Sequence, residues 1–282
     1  SVHQSPGALT RSPGQTVKVK CIQQDSSGYI YWYRQYSGAG AQNLFYSAAA
    51  NIVVPPPPVT GFTAERPNNN EFYLKSSGLE ADSSAVYFCA WSVPGTDYNN
   101  AEAYFGKGTK LVVLDPKFKL RPPQVTILQP SDREIKNKGK ATVVCLITDF
   151  YPDNIKIRWI FDDVVQDKDS DNIHTDASSQ SEDEGMTFSI SSRFRLDARD
   201  YAKTEKIVCE VDHYRNGSTP QTEQGTHYIK KETCGLSKEA KIQTMETAKL
   251  TYLILICKSI LYGIIVSVLA CKAKTSYNKR FV

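Results

Sequence analysis

Two sets of cysteine and tryptophan residues at similar spacing are the strongest constraint on how this chain of 282 residues can fold. The sets are Cys21, Trp32 and Cys89, followed by Cys145, Trp159 and Cys209. The cysteines stand 68 residues apart in the first set and 64 apart in the second. A zinc site is an alternative use of four cysteines, but zinc-binding cysteines usually form close C-x-x-C pairs, which neither set contains. The repeat instead predicts two units of one kind in tandem.

The residues around these cysteines alternate between apolar and polar, as half-buried β-strands do. Val17, Val19 and Cys21 share one face of a strand, and two lysines occupy the other face. The stretches 155–161 and 206–211 alternate in the same way. Strands with this Cys–Trp–Cys order are typical of immunoglobulin sandwiches, in which a disulfide joins two sheets and the indole packs on it. We therefore expect an all-β chain of two tandem immunoglobulin-like sandwiches, with one disulfide between the cysteines of each set.

A long apolar segment separates the second unit from a short basic end. It runs from Leu250 to Ala270 and contains one charged residue, Lys258. A helix of about 20 residues crosses the hydrocarbon core of a bilayer, so the segment predicts one transmembrane α-helix. Three lysines, one arginine and no acid follow it, which predicts a cytoplasmic tail and an extracellular N-terminal part. We expect the layout of a mature type I, single-pass protein.

Charge and composition argue against two broad functions. The formal net charge is +4 and the basic residues are scattered, so nucleic-acid binding is not expected. The four histidines are dispersed along the sequence without a nucleophile nearby at catalytic spacing, so we expect no enzyme. We also expect no cofactor and no metal site. Cys234 also precedes the membrane segment but has no partner in either set, so it is either free or bonded to another chain.

Several motifs follow one another along the chain in a specific order. Trp32-Tyr-Arg-Gln35, Ala85-Val-Tyr-Phe-Cys89 and Phe105-Gly-Lys-Gly108 resemble the strand C, strand F and joining-segment motifs of an antigen-receptor variable domain. Cys145-Leu-Ile-Thr-Asp-Phe-Tyr-Pro152 resembles the end of strand B in a constant domain. Cys234, with the later Leu-Ile-Cys-Lys-Ser-Ile-Leu-Tyr segment, resembles the membrane-proximal part of T-cell receptor beta chains. Nearly the whole chain is thus similar to that family.

Two other families remain as alternatives. T-cell receptor gamma chains share the same layout, although the joining segment and Phe62-Thr-Ala-Glu-Arg-Pro67 are more similar to beta chains. A germline-encoded activating or adhesion receptor of the immunoglobulin superfamily could also use a membrane lysine to hold an adaptor. The Phe-Gly-x-Gly joining motif is not expected in such a receptor.

The resemblance and the connectors divide the chain into five parts. Asp115–Pro123 is a charged connector with prolines, and residues 230–249 are polar with no clear period. We expect a variable-type domain at 1–114, a constant-type domain at 115–229, a connecting peptide at 230–249, a transmembrane helix at 250–271 and a tail at 272–282.

The resemblance implies that loops at one end of the first domain bind antigen. The B–C, C′–C″ and F–G loops of a variable domain lie together, and here they correspond to 25–29, 47–52 and roughly 92–103. Small polar residues with tyrosine, as found here, are typical of binding loops. The implied ligand is a peptide held on a histocompatibility molecule. The expected contact residues are Ser27, Tyr29, Ala49, Asn51, Val93, Thr96, Asp97, Tyr98, Asn99 and Asn100.

Further residues are implied to join the chain to partners outside the membrane. Tyr33 and Gln35 lie opposite Trp32 on strand C, and with Phe105 we expect them to pack on the variable domain of an alpha-type chain, because the two aromatic rings would otherwise remain exposed. The resemblance implies that Cys234 forms a disulfide with that chain. Asn216 begins an Asn-Gly-Ser triplet, so we expect glycosylation there.

Lys258 is the residue of the apolar segment that most needs an explanation. A lysine at this depth costs about 2.5–3.5 kcal/mol or more, and the segment contains no acid. The resemblance implies acidic membrane residues on separate signalling subunits, at the plasma membrane. Tyr262 lies one turn away on the same side. Small residues four apart allow close helix packing, and here they are Ser259, Gly263 and Ser267.

Two positions depart from the family pattern. Ser83 stands where the family usually has an aspartate, and Asp82 comes one position earlier. We therefore expect no salt bridge between Arg66 and Asp82. Tyr87 meets the tyrosine-corner rule in the first domain, whereas Ile207 occupies that position in the second.

Overall fold

The structure, a computed structural model, describes residues 1–24, 28–55, 60–92, 103–181, 186–229 and 238–278, with side chains in the last range from 249 to 271. It divides into two units, residues 1–229 and residues 230–282. The first unit contains two β-sandwiches, and the second contains a long helix. The expected fold class, two tandem sandwiches followed by one apolar helix, is confirmed.

The first sandwich packs a sheet in the order β1-β3-β8-β7 against a sheet in the order β2-β11-β9-β4-β5-β6, with β10 paired to β9. Alternation of buried and exposed residues defines its strands, as in Val17–Gln23. The strands are β1 (Val2–Ser5), β2 (Ala8–Arg11), β3 (Val17–Gln23), β4 (Tyr29–Gln35), β5 (Ala41–Ala49), β6 (Ile52–Val54), β7 (Phe62–Glu65), β8 (Glu71–Ser76), β9 (Ala85–Ser92), β10 (Ala103–Phe105) and β11 (Thr109–Val113).

The core of the first sandwich forms around a disulfide between Cys21 and Cys89. This bond joins β3 in one sheet to β9 in the other, and Trp32 is fully buried in the same cluster. Each large apolar side chain buried here contributes roughly 1.5–3 kcal/mol relative to an exposed one. The Tyr87 hydroxyl donates to the carbonyl of Ser83 at 2.8 Å, which closes the tyrosine corner expected from the sequence.

The second sandwich packs a sheet in the order β12-β13-β18-β16, with β17 paired to β18, against a sheet in the order β15-β14-β19-β20. A disulfide joins Cys145 in β13 to Cys209 in β19, and Trp159 is buried beside it. The elements are β12 (Gln124–Leu128), α1 (Asp132–Lys138), β13 (Lys140–Phe150), β14 (Ile155–Phe161), β15 (Val164–Val165), β16 (Ile173–Thr175), β17 (Ser179–Gln180), β18 (Phe188–Asp197), α2 (Ala198–Lys203), β19 (Lys206–His213) and β20 (Gln221–Tyr228).

Backbone hydrogen bonds join the two sandwiches directly. The amide of Thr10 in β2 donates to the carbonyl of Gly217, and the amide of Gly217 donates back to Thr10, both at 2.9 Å. Gly217 lies in the turn between β19 and β20 with a positive φ of 82°, a conformation that favours glycine. The buried amide of Asn154 also donates to the carbonyl of Leu9 at 2.9 Å. The junction is thus a short piece of antiparallel pairing supported by a buried side chain.

Two segments differ from the sequence expectation. Most of the predicted 47–52 loop belongs to strands, because β5 continues to Ala49 and β6 begins at Ile52. The polar connecting peptide is partly helical, since helix α3 runs from Lys238 to Asn278. Within α3, Lys249–Cys271 is long and apolar enough to cross a membrane.

Candidate functional site

The end of the first sandwich where β3 ends and β4 begins carries two of the expected contact residues on its surface. Tyr29 is the first residue of β4 and 39% exposed. Asn51 is exposed at the tip of the β5–β6 hairpin, with a positive φ of 61°. Ala49 is half-buried at the end of β5. The remaining expected contacts lie outside the described residues: Ser27, Val93, Thr96, Asp97, Tyr98, Asn99 and Asn100.

Arg66 lies beneath this end and was not among the residues singled out from the sequence as functional. Its side chain is only 1% exposed. Its guanidinium donates to the carbonyl of Ser47 at 2.9 Å and to the carbonyl of Asn69 at 3.0 Å. Burial lowers the pKa of this guanidinium. Among the described residues, the Arg66 guanidinium contacts backbone carbonyls and the Ser47 hydroxyl rather than a carboxylate.

A row of aromatic rings covers the outer face of β4. Ring centroids are 6.5 Å apart for Tyr29 and Tyr31, and 5.9 Å apart for Tyr31 and Tyr33. Tyr33 contacts Phe105 at 5.9 Å, and Tyr46 on β5 contacts Tyr31 at 6.3 Å. Phe105 is 58% exposed. Tyr33 and Phe105, expected from the sequence to share a surface, therefore lie side by side.

Tyr31 and Tyr46 also belong to this aromatic row but were not predicted from the sequence. The signal for Tyr31 was available, because Tyr29, Tyr31 and Tyr33 alternate along one strand and so share a face. Tyr46 could not be found that way, since its position depends on the pairing of β5 with β4. Gln35, also expected on this surface, is half-buried and turns its amide toward the carbonyl of Ala39 at 3.0 Å.

An open groove on helix α3 contains three of its polar side chains. Lys258, Ser259 and Tyr262 line it, together with Leu255, Leu261 and Ile265. The hydroxyl of Ser259 donates to the carbonyl of Ile256 at 2.8 Å, and that of Ser267 donates to the carbonyl of Gly263 at 2.8 Å. The two hydroxyls are thus satisfied within the helix. They leave Lys258 and Tyr262 as the residues of the groove whose polar ends face outward.

The remaining two sites predicted from the sequence are the glycosylation site at Asn216 and the interchain disulfide at Cys234. Asn216 is exposed in the turn that follows β19, so its side chain is accessible for modification. Cys234 lies outside the described residues. Among the residues that the structure describes, no group of three or more His, Cys, Asp or Glu side chains is arranged to hold a metal ion.

Comparison with protein-family models divides the chain as the fold does. Residues 4–114 match the immunoglobulin V-set domain, and residues 125–216 match the immunoglobulin C1-set domain. Together with the membrane-length helix, these matches define a membrane-anchored receptor of the immunoglobulin superfamily, and the two matched domain types are non-enzymatic.

Individual relatives narrow this class. A viral T-cell receptor beta chain-like protein of Feline leukemia virus is 33% identical over 287 residues, covering 96% of this chain and 88% of the viral protein. A T-cell receptor beta chain V region of Mus musculus is 37% identical over 114 residues, covering 40% of this chain and 92% of that region. A chicken TCR crystal structure has a TM-score of 0.69 and 30% identity, covering 81% of this chain and 99% of the chicken chain. This chain belongs to the T-cell receptor beta chain family.

Proposed function

We propose that this chain is the antigen-recognition subunit of a heterodimeric T-cell receptor at the plasma membrane, with its N-terminal part outside the cell. Its hypervariable loops bind a peptide held on a histocompatibility molecule. An alpha-type chain covers the aromatic face of the first sandwich and forms a disulfide with Cys234. Lys258 binds separate signalling subunits through their acidic membrane residues.

The recognition part of the proposal is supported by the end of the first sandwich that carries Tyr29 and Asn51. Both side chains are exposed there, and they start from a rigid strand and a tight hairpin rather than from long connections. Rigid scaffolds that present exposed tyrosine and asparagine are typical of binding surfaces because little entropy is lost on contact.

The pairing part is supported by the aromatic row on β4. Exposed aromatic surface of this extent in a soluble domain indicates a contact with another protein. Burial raises the pKa of Tyr33, so its phenol stays neutral and can donate a hydrogen bond within such a contact.

Asn216 lies on a different sandwich, and we propose it as a glycosylation site.

The observation that carries the proposal is Lys258. It is exposed on a helix whose membrane-length part, Lys249–Cys271, includes no aspartate or glutamate. A charged ammonium in hydrocarbon is stabilised only by a counter-charge, by water or by reaching the interface. Because this chain offers no acid at that depth, the counter-charge comes from another polypeptide.

The test compares two lysines of the same helix. The full-length chain is expressed with an alpha-type chain and signalling subunits from the same organism, in cells that lack their own receptor. We expect Lys258→Leu to reduce the surface level by at least about tenfold, because assembly loses its buried ion pair. The matched control is Lys249→Leu, which removes a lysine at the edge of the membrane-length part of the helix and should leave the surface level unchanged.

Purification in mild detergent followed by mass spectrometry identifies the bound chains in each variant. Lys258→Leu should lose the signalling subunits while both sandwiches keep their disulfides. An unchanged surface level and unchanged partners in Lys258→Leu would show that the lysine has no role in assembly.

The recognition part has its own test at Asn51. Asn51→Gly removes the side chain but keeps a residue that tolerates the positive φ, so the hairpin keeps its shape. We expect the affinity for the activating peptide–histocompatibility complex to fall about tenfold, the usual cost of a contact at an interface. Affinity is measured on displayed receptor, with surface level as the reference. Unchanged affinity would remove Asn51 from the contact surface.

A further inference from the structure

Arg66 is a buried cation that contacts no carboxylate among the described residues. A buried charge is costly unless hydrogen bonds replace its lost water, and Arg66 makes them to the backbone of three separate segments. Besides Ser47 in β5 and Asn69 after β7, its two terminal nitrogens both lie 3.5 Å from the carbonyl of Gly28. Arg66 therefore contacts the segments before β4, near the end of β5 and before β8.

The geometry of the guanidinium suits this position. A guanidinium presents its donors in a rigid planar fork, so one side chain can reach carbonyls in different directions. Here Nη1 donates toward Ser47 and Nη2 toward Asn69, with Gly28 at the limit of hydrogen bonding from both. Ser47 is itself fully buried. The three carbonyls are thus held around one centre inside the sandwich.

Gly28 is fixed from its other side as well. Its φ of +126° is a conformation that L residues rarely adopt. A Cβ at this position would lie 2.4 Å from the carbonyl oxygen of Ser92 and 2.6 Å from Nε1 of Trp91. The backbone at Gly28 is therefore held between the end of β9 and the guanidinium of Arg66.

The turn formed by residues 67–70, which we call the D–E turn, connects the same residues through its backbone. The amide of Asn51 donates to the carbonyl of Arg66 at 2.8 Å, and the amide of Gln23 donates to the carbonyl of Asn70 at 2.9 Å. The side chain of Gln23, 1% exposed, donates to the carbonyl of Asn69 at 2.5 Å. The position of the D–E turn therefore affects both the tip of the β5–β6 hairpin and the end of β3.

We propose that Arg66 is a positioning residue that fixes three segments relative to one another: the backbone before β4, the β5–β6 hairpin and the D–E turn. Its guanidinium adds a shared contact to the few direct hydrogen bonds between these segments, such as the one from the Ala50 amide to Oδ1 of Asn69 at 3.3 Å. The importance of this for antigen binding rests on the proposed function, whereas the positioning itself does not. We infer that the D–E turn belongs to the same rigid surface as Tyr29 and Asn51.

The test uses hydrogen–deuterium exchange on the full-length chain in mild detergent, without ligand. Arg66→Met removes the guanidinium but leaves the backbone acceptors of Asn51 and Gln23 in place. If the guanidinium holds these segments, both amides should nevertheless exchange about tenfold faster or more, because the segments open locally. Arg66→Lys keeps a donor for one or two of the carbonyls and should restore part of the protection.

The chain offers an internal reference and a matched control. The amides of Gly14 and Leu79 make similar loop hydrogen bonds at the opposite end of β3, at 2.8 and 3.0 Å, and should exchange at the wild-type rate in Arg66→Met. Arg215→Met removes a half-buried arginine from the second sandwich and should leave Asn51 and Gln23 protected.

Two results would overturn the proposal. One is wild-type exchange at Asn51 and Gln23 in Arg66→Met. The other is an equal increase at Gly14, Leu79 and the strand amides, which would make Arg66 a general stabiliser of the sandwich. Because no ligand is used, failure here leaves the proposed recognition function intact. Conversely, a chain with positioned segments that binds no peptide–histocompatibility complex would refute the recognition function alone.

Discussion

The two sandwiches share an inner architecture but differ on the outer face of their central strands. In both, the tryptophan pairs in register with the second cysteine, Trp32 with Cys89 and Trp159 with Cys209. The outward residues of β4 are tyrosines in ring contact. The outward residues of β14 and β19 are mostly charged, and Arg158 forms ion pairs with Glu210 and Asp212.

The two interiors also differ in the hydrogen bonding of their buried tryptophan. The indole Nε1 of Trp159 donates to Ser192 at 3.0 Å, whereas Nε1 of Trp32 has no hydrogen-bond partner among the described residues. Tyr87 closes a tyrosine corner in the first sandwich, and Ile207 fills that place with a buried aliphatic side chain in the second. The residues that face the core are thus set by the fold, although single positions differ between the two sandwiches. The residues that face outward instead reflect the function of each face.

The largest effect is expected from removing two rings from the outer face of the first sandwich, the exposed Phe105 and the half-buried Tyr33. The double variant Tyr33→Ser with Phe105→Ser should weaken association with an alpha-type chain by about a hundredfold or more, because buried aromatic residues dominate interface energies. Association is measured by co-purification of the two full-length chains. Both sandwiches should remain folded, since neither side chain belongs to the buried core.

Two controls sharpen this comparison. Tyr73→Ser removes a half-buried tyrosine from the outer face of the other sheet of the first sandwich, and should leave association unchanged. Arg158→Ser removes an exposed arginine from the outer face of the second sandwich, and should also leave association unchanged. If the double variant associates as well as wild type, the aromatic row has a different role.

A smaller difference between the two sandwiches is expected in how their stability depends on pH. His213 in β19 is fully buried, and its Nε2 lies 2.9 Å from the carbonyl of Pro152. Burial lowers the pKa of His213 to about 4. Between that value and an unfolded pKa of about 6.5, the unfolded chain binds more protons, so stability falls as pH falls. From pH 7 to pH 5 the second sandwich should lose about 2 kcal/mol.

Pulse proteolysis in urea measures this effect, because cleavage products identify which sandwich has unfolded. His213→Gln keeps a donor for Pro152 without a titrating ring, and should lose most of this pH dependence. The remainder comes from His227 in β20, whose pKa burial also lowers. The first sandwich contains one histidine, His3, which is not buried, so it should change little over the same range. An equal loss in both sandwiches, or an unchanged loss in His213→Gln, would exclude His213 as the cause.

The sequence was sufficient for the fold because the relevant signals are local and periodic. Alternation along Val17–Gln23 predicted which face is buried, and the Cys–Trp–Cys spacing predicted the sandwiches. The end of β5 was misjudged because residues 47–52 are mostly small and include a turn-forming asparagine, which resembles a loop. Their strand conformation comes from pairing with β4 and β6, which tertiary contacts determine.

A residue of the candidate sites could be predicted from the sequence only where its own side chain is unusual for its position. Tyr33, Phe105 and Lys258 could be selected because an exposed ring or a lone membrane charge is unusual for its position. Arg66 could not, since its partners are the carbonyls of Gly28, Ser47 and Asn69. Every residue has a carbonyl, so no sequence pattern marks the ones that meet in space.

The pairing of Thr10 with Gly217 has a consequence for variation. Its two hydrogen bonds join main-chain atoms only, so the identity of the side chains around β2 matters little to them. A first sandwich of different sequence that follows the same backbone path would keep both main-chain bonds, provided that it also retains the contacts made by the Thr10 hydroxyl and Lys110. The second sandwich can thus accept first sandwiches that differ in most other side chains.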